Sequence, residues 1–450
     1  MDVKQMAALS RKAQKQFETF SQQQVDEIVR AIGRVVYDNA EPYAKMAAEE
    51  TRMGVYQDKI NKNLGKSRII YNSLKGVASV GVIRDDKENM IVEVAKPMGV
   101  VAAITPCTNP IVTPMCNAMF ALKARNSIII APHPRAKRCA VTIVDAFNKA
   151  IAALGAPENL IMVIPEPSNE ITAELMKVCD VTVATGGMGM VKAAYSSGRP
   201  AYGVGPGNVQ CILDKGIDVA AAVKKAIDGR VFDNGIICSG EQTLIVHKDD
   251  YQTAIQAAKE AGAYYTDKPE EVEKIRQTVF PGGIMNRDLV GQSALAVAEK
   301  AGIAVPEGTR VIIAKAEGIG EEDLLCEEKM CPVMASFAYD TFEEAIEIAN
   351  ANLDVVGKGH SISLHSQNAE NIEYAASHVP VCRVLVNQIC STMNGGSFYN
   401  GLTPTTTLGC GSWGNNSISE NFGLKHMMNI TRIAYHNKDA KVPTDEEIWG

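Results

Sequence analysis

The sequence predicts an α/β protein built on a parallel, doubly wound sheet. Short β-rich apolar runs recur at 127–131, 160–164 and 181–184, each separated from the next by a segment long enough for a helix. Alternating β and α on that spacing calls for parallel strands with crossover helices. Glycine and proline clusters follow the runs, as strand-to-helix turns require. Ahead of this core, residues 1–80 read as helical. There Ser21 and Gln24 make a capping-box pattern before Val25, Ile28, Val29, Ile32 and Val36 at helical spacing. Residues 90–104 carry two β-rich runs split by Pro97 and Gly99, and Pro106 closes the second. A second α/β region begins near residue 240, with LIVH, a helical segment at 250–265, VIIA and the helical TFEEAIEIANAN. The tail at 395–423 is rich in glycine, and Phe398, Trp413 and Phe422 are interleaved there, which predicts ordered, packed loops.

Composition narrows the function classes. A chain of 450 residues, 46% hydrophobic, can bury two or three domain cores. A formal net charge of -7 gives no basic footprint for nucleic acid. No stretch approaches the roughly 20 apolar residues of a spanning helix and the N-terminus lacks a signal-peptide core, so the expected compartment is the cytoplasm. Eleven dispersed cysteines fit reduced thiols better than a disulfide framework. Cys107 with Cys116 and Cys326 with Cys331 lack CxxC spacing and a completing pair, so no metal site is expected.

Ligands of doubly wound sheets bind at the carboxyl ends of the strands, and here those ends read TPCTNP (105–110), APHPRAK (131–137) and ATGGMGM (184–190). Gly186, Gly187 and Gly189 open a predicted helix whose free amides suit a pyrophosphate, although the same glycines serve equally well as plain turn residues. GVGPGN (203–208) lacks dinucleotide-fingerprint spacing and is read first as a tight backbone turn.

The segment FDNGIICSGEQ (232–242) resembles the nucleophilic-cysteine segment of acylating aldehyde dehydrogenases. The likeness runs on through ITPCTNP, APHPRAK, ATGGMGM, GVGPGN, EKMCPV, GKGHSIS and LGCGSWGNNSISEN, covering nearly the whole chain. Within that branch VVYDNAE, KPMGVVAAITP and AAYSSGRPAYGVGPGN are most similar to the succinate-semialdehyde dehydrogenases that form succinyl-CoA. The resemblance implies an aldehyde dehydrogenase fold: a helical layer with a Rossmann-type cofactor domain (1–89 and 103–233), an α/β catalytic domain (234–426), and a small β extension with the tail (90–102 and 427–450) that joins subunits into a homodimer or homotetramer.

It also implies the chemistry. An aldehyde cannot expel hydride until a nucleophile adds, and the thiol of Cys238 takes that role. Asn109 and the Cys238 N–H would hold the resulting oxyanion. Thr105, Pro106, His133, Pro134, Arg135, Gly186, Gly187, Gly205 and Glu328 are implied to bind the cofactor, with Glu328 on the nicotinamide ribose and Met330 in place of the aromatic usual in hydrolytic members. His133 stands where a ribose-binding Lys is common, and Arg135 with Lys137 would attract a 2′-phosphate, so NADP(H) is expected ahead of NAD(H). Hydrolytic members carry a Glu base in a Glu-Leu-Gly-Gly motif. The matching stretch GVGPGN has no carboxylate, which points to coenzyme A as the acyl acceptor. Glu241 is read as structural rather than as a replacement base, and His360 either assists the thiol or is structural. Ser239, Ser391, Thr392 and Asn394 are the expected donors to a distal anion on the aldehyde, succinate semialdehyde first and sulfoacetaldehyde second. The loop QICSTMNGGS (388–397) is bulkier than the Pro-Ala-Thr-Thr-Ala-Gly-Gly pattern of the succinyl-CoA branch. A short-chain acylating dehydrogenase for acetaldehyde or butyraldehyde, a hydrolytic dehydrogenase and a non-catalytic protein of the same fold are the competing readings.

Overall fold

A computed structural model describes residues 1–450. Four helices come first, α1 (Val3–Phe17), α2 (Gln22–Asp38), α3 (Ala40–Thr51) and α4 (Tyr56–Leu74). The Ser21 capping box forms: Ser21 Oγ accepts from Gln24 N, and Gln24 Oε1 accepts from Ser21 N at 2.9 Å. The apolar stripe of α2 is buried as its spacing predicts.

The strands β1 (Gly81–Asp86) and β2 (Ile91–Pro97) form an antiparallel hairpin. Five parallel strands follow, β3 (Val100–Thr105), β4 (Ser127–Pro132), β5 (Ile161–Val163), β6 (Val181–Thr185) and β7 (Ala201–Val204), in the order β5-β4-β3-β6-β7. Every residue of β3 and β4 is buried, as unbroken apolar runs demand in a sheet covered on both faces. Helix α2 packs on one face with α5 (Val112–Lys123) and α6 (Lys137–Ala152). Helix α1 covers the other with α7 (Asn169–Val178) and α8 (Met188–Tyr195). The strand order reverses between β3 and β6, so the crevice at their carboxyl ends is the ligand-binding position of such a sheet.

A seven-stranded parallel sheet holds β8 (Gln210–Leu213), β9 (Thr243–His247), β10 (Ala263–Thr266), β11 (Val311–Lys315), β12 (Val333–Tyr339), β13 (Ile362–His365) and β14 (Val384–Val386), in the order β10-β11-β12-β9-β8-β13-β14. The last strand, β15 (Met428–Ala434), returns to pair with β2. No helix is long and apolar enough to cross a membrane.

Four sequence expectations are corrected. The run at 100–105 is the central strand of the five-stranded sheet, not part of the β extension. The extension is instead β1, β2 and β15, because β3 has parallel neighbours on both sides and no exposed face. β8 and the helix α9 (Val219–Val231) belong with the second sheet, ahead of the expected start at 234, since β8 pairs with β9 and β13. The helix expected to run to residue 265 stops at Glu260, and Gly262 at φ +90° turns the chain so that the next four residues form β10. In the tail, Phe422 is buried against Phe120, whereas Phe398 and Trp413 are 60% and 50% exposed.

Candidate active site

A cavity of about 300 Å³ lies where α4, the β3–α5 turn, the loop after α9 and the 390–408 segment converge. Cys238, Ser239, Asn109, Ser391 and Thr392 all line it, so the sheets bring together residues that lie far apart in the chain. Burial, then the neighbouring Glu328 carboxylate, pushes the Cys238 thiol up to about 11, while Arg383 and the Cys238 and Ser239 amides pull the other way. Arg383 is itself buried, donating from Nη2 to the His360 carbonyl at 2.8 Å and from Nε to Ser361 Oγ at 3.2 Å.

Two lysines that sequence reasoning passed over also line this cavity. Lys62 Nζ donates to Asn109 Oδ1 at 2.9 Å and pairs with the buried Asp233. Lys66 Nζ donates to the carbonyls of Gly395 at 2.9 Å and Thr405 at 3.2 Å, and burial lowers its pKa to about 8. Their signal was present: Lys59 falls on the stripe of α4 that also buries Asn63, Ser67, Ile70 and Leu74, with Lys62 and Lys66 beside it. A long cation on the packed side of a helix needs a partner, and hydropathy alone discards that information.

The other expected donors divide. Ser391 Oγ is buried without a protein partner, free for a ligand group, whereas Ser239 Oγ already donates to the Ser391 carbonyl at 3.2 Å. Asn394 is corrected: its side chain turns into the core, where Nδ2 donates to Ser361 Oγ at 2.6 Å, and it does not line the cavity. Glu241 is also outside. Its Oε1 accepts from Cys390 N at 2.6 Å, its other oxygen faces Gly229, and burial raises it to about 8. His360 is buried with neither ring nitrogen partnered, and burial with Arg383 nearby lowers it to about 3, so its imidazole is neutral.

The cofactor candidates gather at the crevice of the first sheet. Thr105 and Pro106 end β3, and Gly187 caps α8 at the end of β6. A Cβ at Gly186 or Gly187 would meet nothing closer than 3.5 Å, leaving the free amides of the α8 N-terminus open to a pyrophosphate. Gly205 packs on Met188 of that turn. His133 Nδ1 accepts from Arg135 N at 3.1 Å, capping the turn at Pro134. Arg135 Nη2 donates to the Thr51 carbonyl at 2.8 Å, and Lys137 pairs with Glu166 at 2.5 Å. On the facing side Glu328 Oε1 accepts from Gly207 N at 3.3 Å, and burial raises its carboxyl to about 7. These residues fit a dinucleotide laid from the α8 turn towards Cys238.

Residues 1–275 match the sequence profile described as the aldehyde dehydrogenase family. The chain belongs to that family. Over 450 residues it is 55% identical to a succinate-semialdehyde dehydrogenase (acetylating) of Clostridium kluyveri, covering 100% of this chain and 99% of that one. An acetylating aldehyde dehydrogenase from Geobacillus thermoglucosidasius superposes with a TM-score of 0.94 at 38% identity, covering 98% of each chain. A Rhodopseudomonas palustris propionaldehyde dehydrogenase, solved with bound CoA and an acylated cysteine, superposes with a TM-score of 0.86 at 27% identity, covering 96% of this chain and 97% of that one. The protein is thus an oxidoreductase acting on aldehydes, of the acylating branch.

Proposed function

We propose that this acylating aldehyde dehydrogenase interconverts succinate semialdehyde, CoA and NADP+ with succinyl-CoA and NADPH through a thioester on Cys238. The observation that carries the reading is Lys66, an ammonium buried in the same cavity as Cys238. A carboxylate drawn from water into such a cavity binds only if a cation or several donors meet it. Lys66, with Ser391 Oγ and Thr392, supplies that counterpart. The 55% identity to the Clostridium kluyveri enzyme supports the same substrate.

In the oxidative direction the Cys238 thiolate adds to the aldehyde carbon. The new oxyanion is met by Asn109 Nδ2 and the Cys238 N–H, donors worth on the order of 3 kcal/mol each when preorganised. Glu328 would hold the nicotinamide ribose of NADP+, which when bound would supply the hydride acceptor. Loss of hydride leaves a thioester on Cys238. Hydrolysis then lacks a base, because Gly203, first of the GVGPGN stretch, carries no carboxylate, and a side chain there would meet Tyr195 at 3.0 Å. The CoA thiol attacks instead, and its proton passes to the departing Cys238 sulfur, the neutral His360 ring serving as a hydrogen-bond partner rather than a base. The C–S bond to Cys238 breaks and the cysteine is returned.

The preference for NADP(H) rests on Arg135 and Lys137 beside the β4 turn. The Lys137–Glu166 pair is exposed and therefore weak, so a 2′-phosphate readily displaces the carboxylate. The three-stranded sheet has both outer edges, β1 and β15, unpaired, which suits joining subunits into a dimer or tetramer. The compartment that goes with this reading is the cytoplasm, where CoA and NADP(H) are available in solution.

An acyl-CoA panel assayed with NADPH tests the substrate. The expected kcat/KM for succinyl-CoA is at least tenfold above acetyl-CoA and butyryl-CoA, a difference of about 1.4 kcal/mol. Preference for acetyl-CoA overturns the substrate assignment, and aldehyde oxidation that proceeds without CoA overturns the thioester-transfer step.

A further inference from the structure

Asn109 lies between β3 and α5, and its carboxamide can turn either end towards the cavity. Lys62 removes that ambiguity. An ammonium has donors only, so the atom it approaches at 2.9 Å must be the carbonyl oxygen Oδ1. The Asn109 NH2 group therefore points away from Lys62, and no protein acceptor takes its protons. Lys62 also donates to the Thr108 carbonyl at 3.3 Å, which fixes the backbone just before Asn109.

Lys62 is held in turn. It pairs with Asp233, whose carboxylate is buried, also accepts from Lys59 Nζ at 3.1 Å, and takes the Val55 amide at 2.7 Å. Asp233 has a left-handed backbone, φ 51°, in the loop that leads to Cys238, and its own amide donates to Asp58 at 2.8 Å. One buried carboxylate thus ties the cysteine loop to the helix that carries Lys62. An aspartate at this φ is uncommon, and the bonds to α4 hold it there.

We infer that Lys62 is a positioning residue for the oxyanion site: its ammonium orients and polarises the Asn109 amide so that Nδ2 faces the reacting carbonyl, while Asp233 holds Lys62 at that distance. The inference rests on the reading of Asn109 as an oxyanion donor. A charge on the carbonyl side of an amide withdraws electrons from its nitrogen, which makes Nδ2–H a stronger donor when the adduct forms. Lys62 touches no reacting atom and acts through Asn109.

A double-mutant cycle on the purified full-length enzyme tests it. Lys62→Met is expected to lower kcat about tenfold or more, with KM for acyl-CoA and NADPH changed less than threefold, and Lys62→Arg to restore at least a third of the loss. In an Asn109→Ala background, Lys62→Met is expected to cost less than twofold further. Equal losses in both backgrounds, or a kcat unchanged by Lys62→Met in the parent, overturn the inference. If Asn109→Ala itself leaves kcat intact, the oxyanion reading of Asn109 fails instead, so the two failures are distinct. Should Lys62→Met not fold, Lys62→Gln removes the charge while keeping a polar head beside Asp233, and the same two-background comparison decides.

Discussion

The backbone of Gly207 rests against the carbonyl of Cys238: a Cβ built on Gly207 would stand 2.0 Å from that oxygen and 3.1 Å from His360 Cδ2. Backbone, not a yielding side chain, is what the new methyl would strike. Gly207→Ala must therefore displace the cysteine loop and disturb Glu328, which accepts the Gly207 amide. Overpacking of this kind costs about 1–3 kcal/mol, so differential scanning calorimetry should show a melting temperature lower by about 2–6 °C. Turnover should fall about 100-fold, since a misplaced nucleophile loses its attack geometry. A variant that melts and turns over like the parent would mean that the contact is relieved at no cost.

The high thiol pKa of Cys238 has burial as its main cause and Glu328 as the next. Replacing the carboxylate by a neutral amide removes the second cause and favours the thiolate. Glu328→Gln is thus expected to speed iodoacetamide labelling of Cys238 at pH 8 about threefold or more, read by peptide mass spectrometry, while weakening NADPH binding. In the parent, labelling should keep rising with pH through 10 without a plateau near 8. Unchanged labelling in Glu328→Gln would show that the carboxylate does not act on the thiol. Cys238→Ser should lose turnover and retain the bound cofactor.

On the proposed NADP(H) reading, Arg135 and Lys137 meet the 2′-phosphate. Lys137→Ala is expected to raise KM for NADPH about tenfold with KM for NADH little changed, because only the phosphorylated cofactor meets the cation. Equal changes for both cofactors would place the 2′-phosphate elsewhere.

The first sheet was readable because β4 and β6 are mostly Ile, Val and Ala and are closed at once by proline or glycine. The membership of β3 and β8 was not, because strand pairing is set by neighbours over 20 residues away, such as Val181 beside Val101. The same limit governs the site. Cys238, Asn109 and Glu328 could be picked out from motifs, whereas Lys62 and Lys66 are found only by asking which lysines flank the packed stripe of a helix that is polar on most faces. Asn394 was misplaced for a related reason: Ser391, Thr392, Met393 and Gly395 line the cavity, but Asn394, at the end of the short helix Cys390–Met393, turns its side chain away to Ser361.

Lys66 carries the last prediction. Its ammonium is buried beside the cavity with two backbone carbonyls as its only protein acceptors, leaving one proton for a substrate carboxylate. Burial lowers its pKa to about 8, so it is charged below that pH and loses its charge as pH rises through it. The ratio of kcat/KM for succinyl-CoA over acetyl-CoA should accordingly be high at pH 6.5–7 and fall as pH passes about 8, since kcat/KM reports groups of the free enzyme. Ionisation of Cys238 affects both substrates alike and cancels in the ratio. Lys66→Met should remove at least tenfold more kcat/KM from succinyl-CoA than from acetyl-CoA, consistent with the loss of one charge-assisted hydrogen bond of about 1.5–3 kcal/mol. A ratio that is flat from pH 6.5 to 9.5 and survives Lys66→Met would assign the distal carboxylate to Ser391 and Thr392 alone.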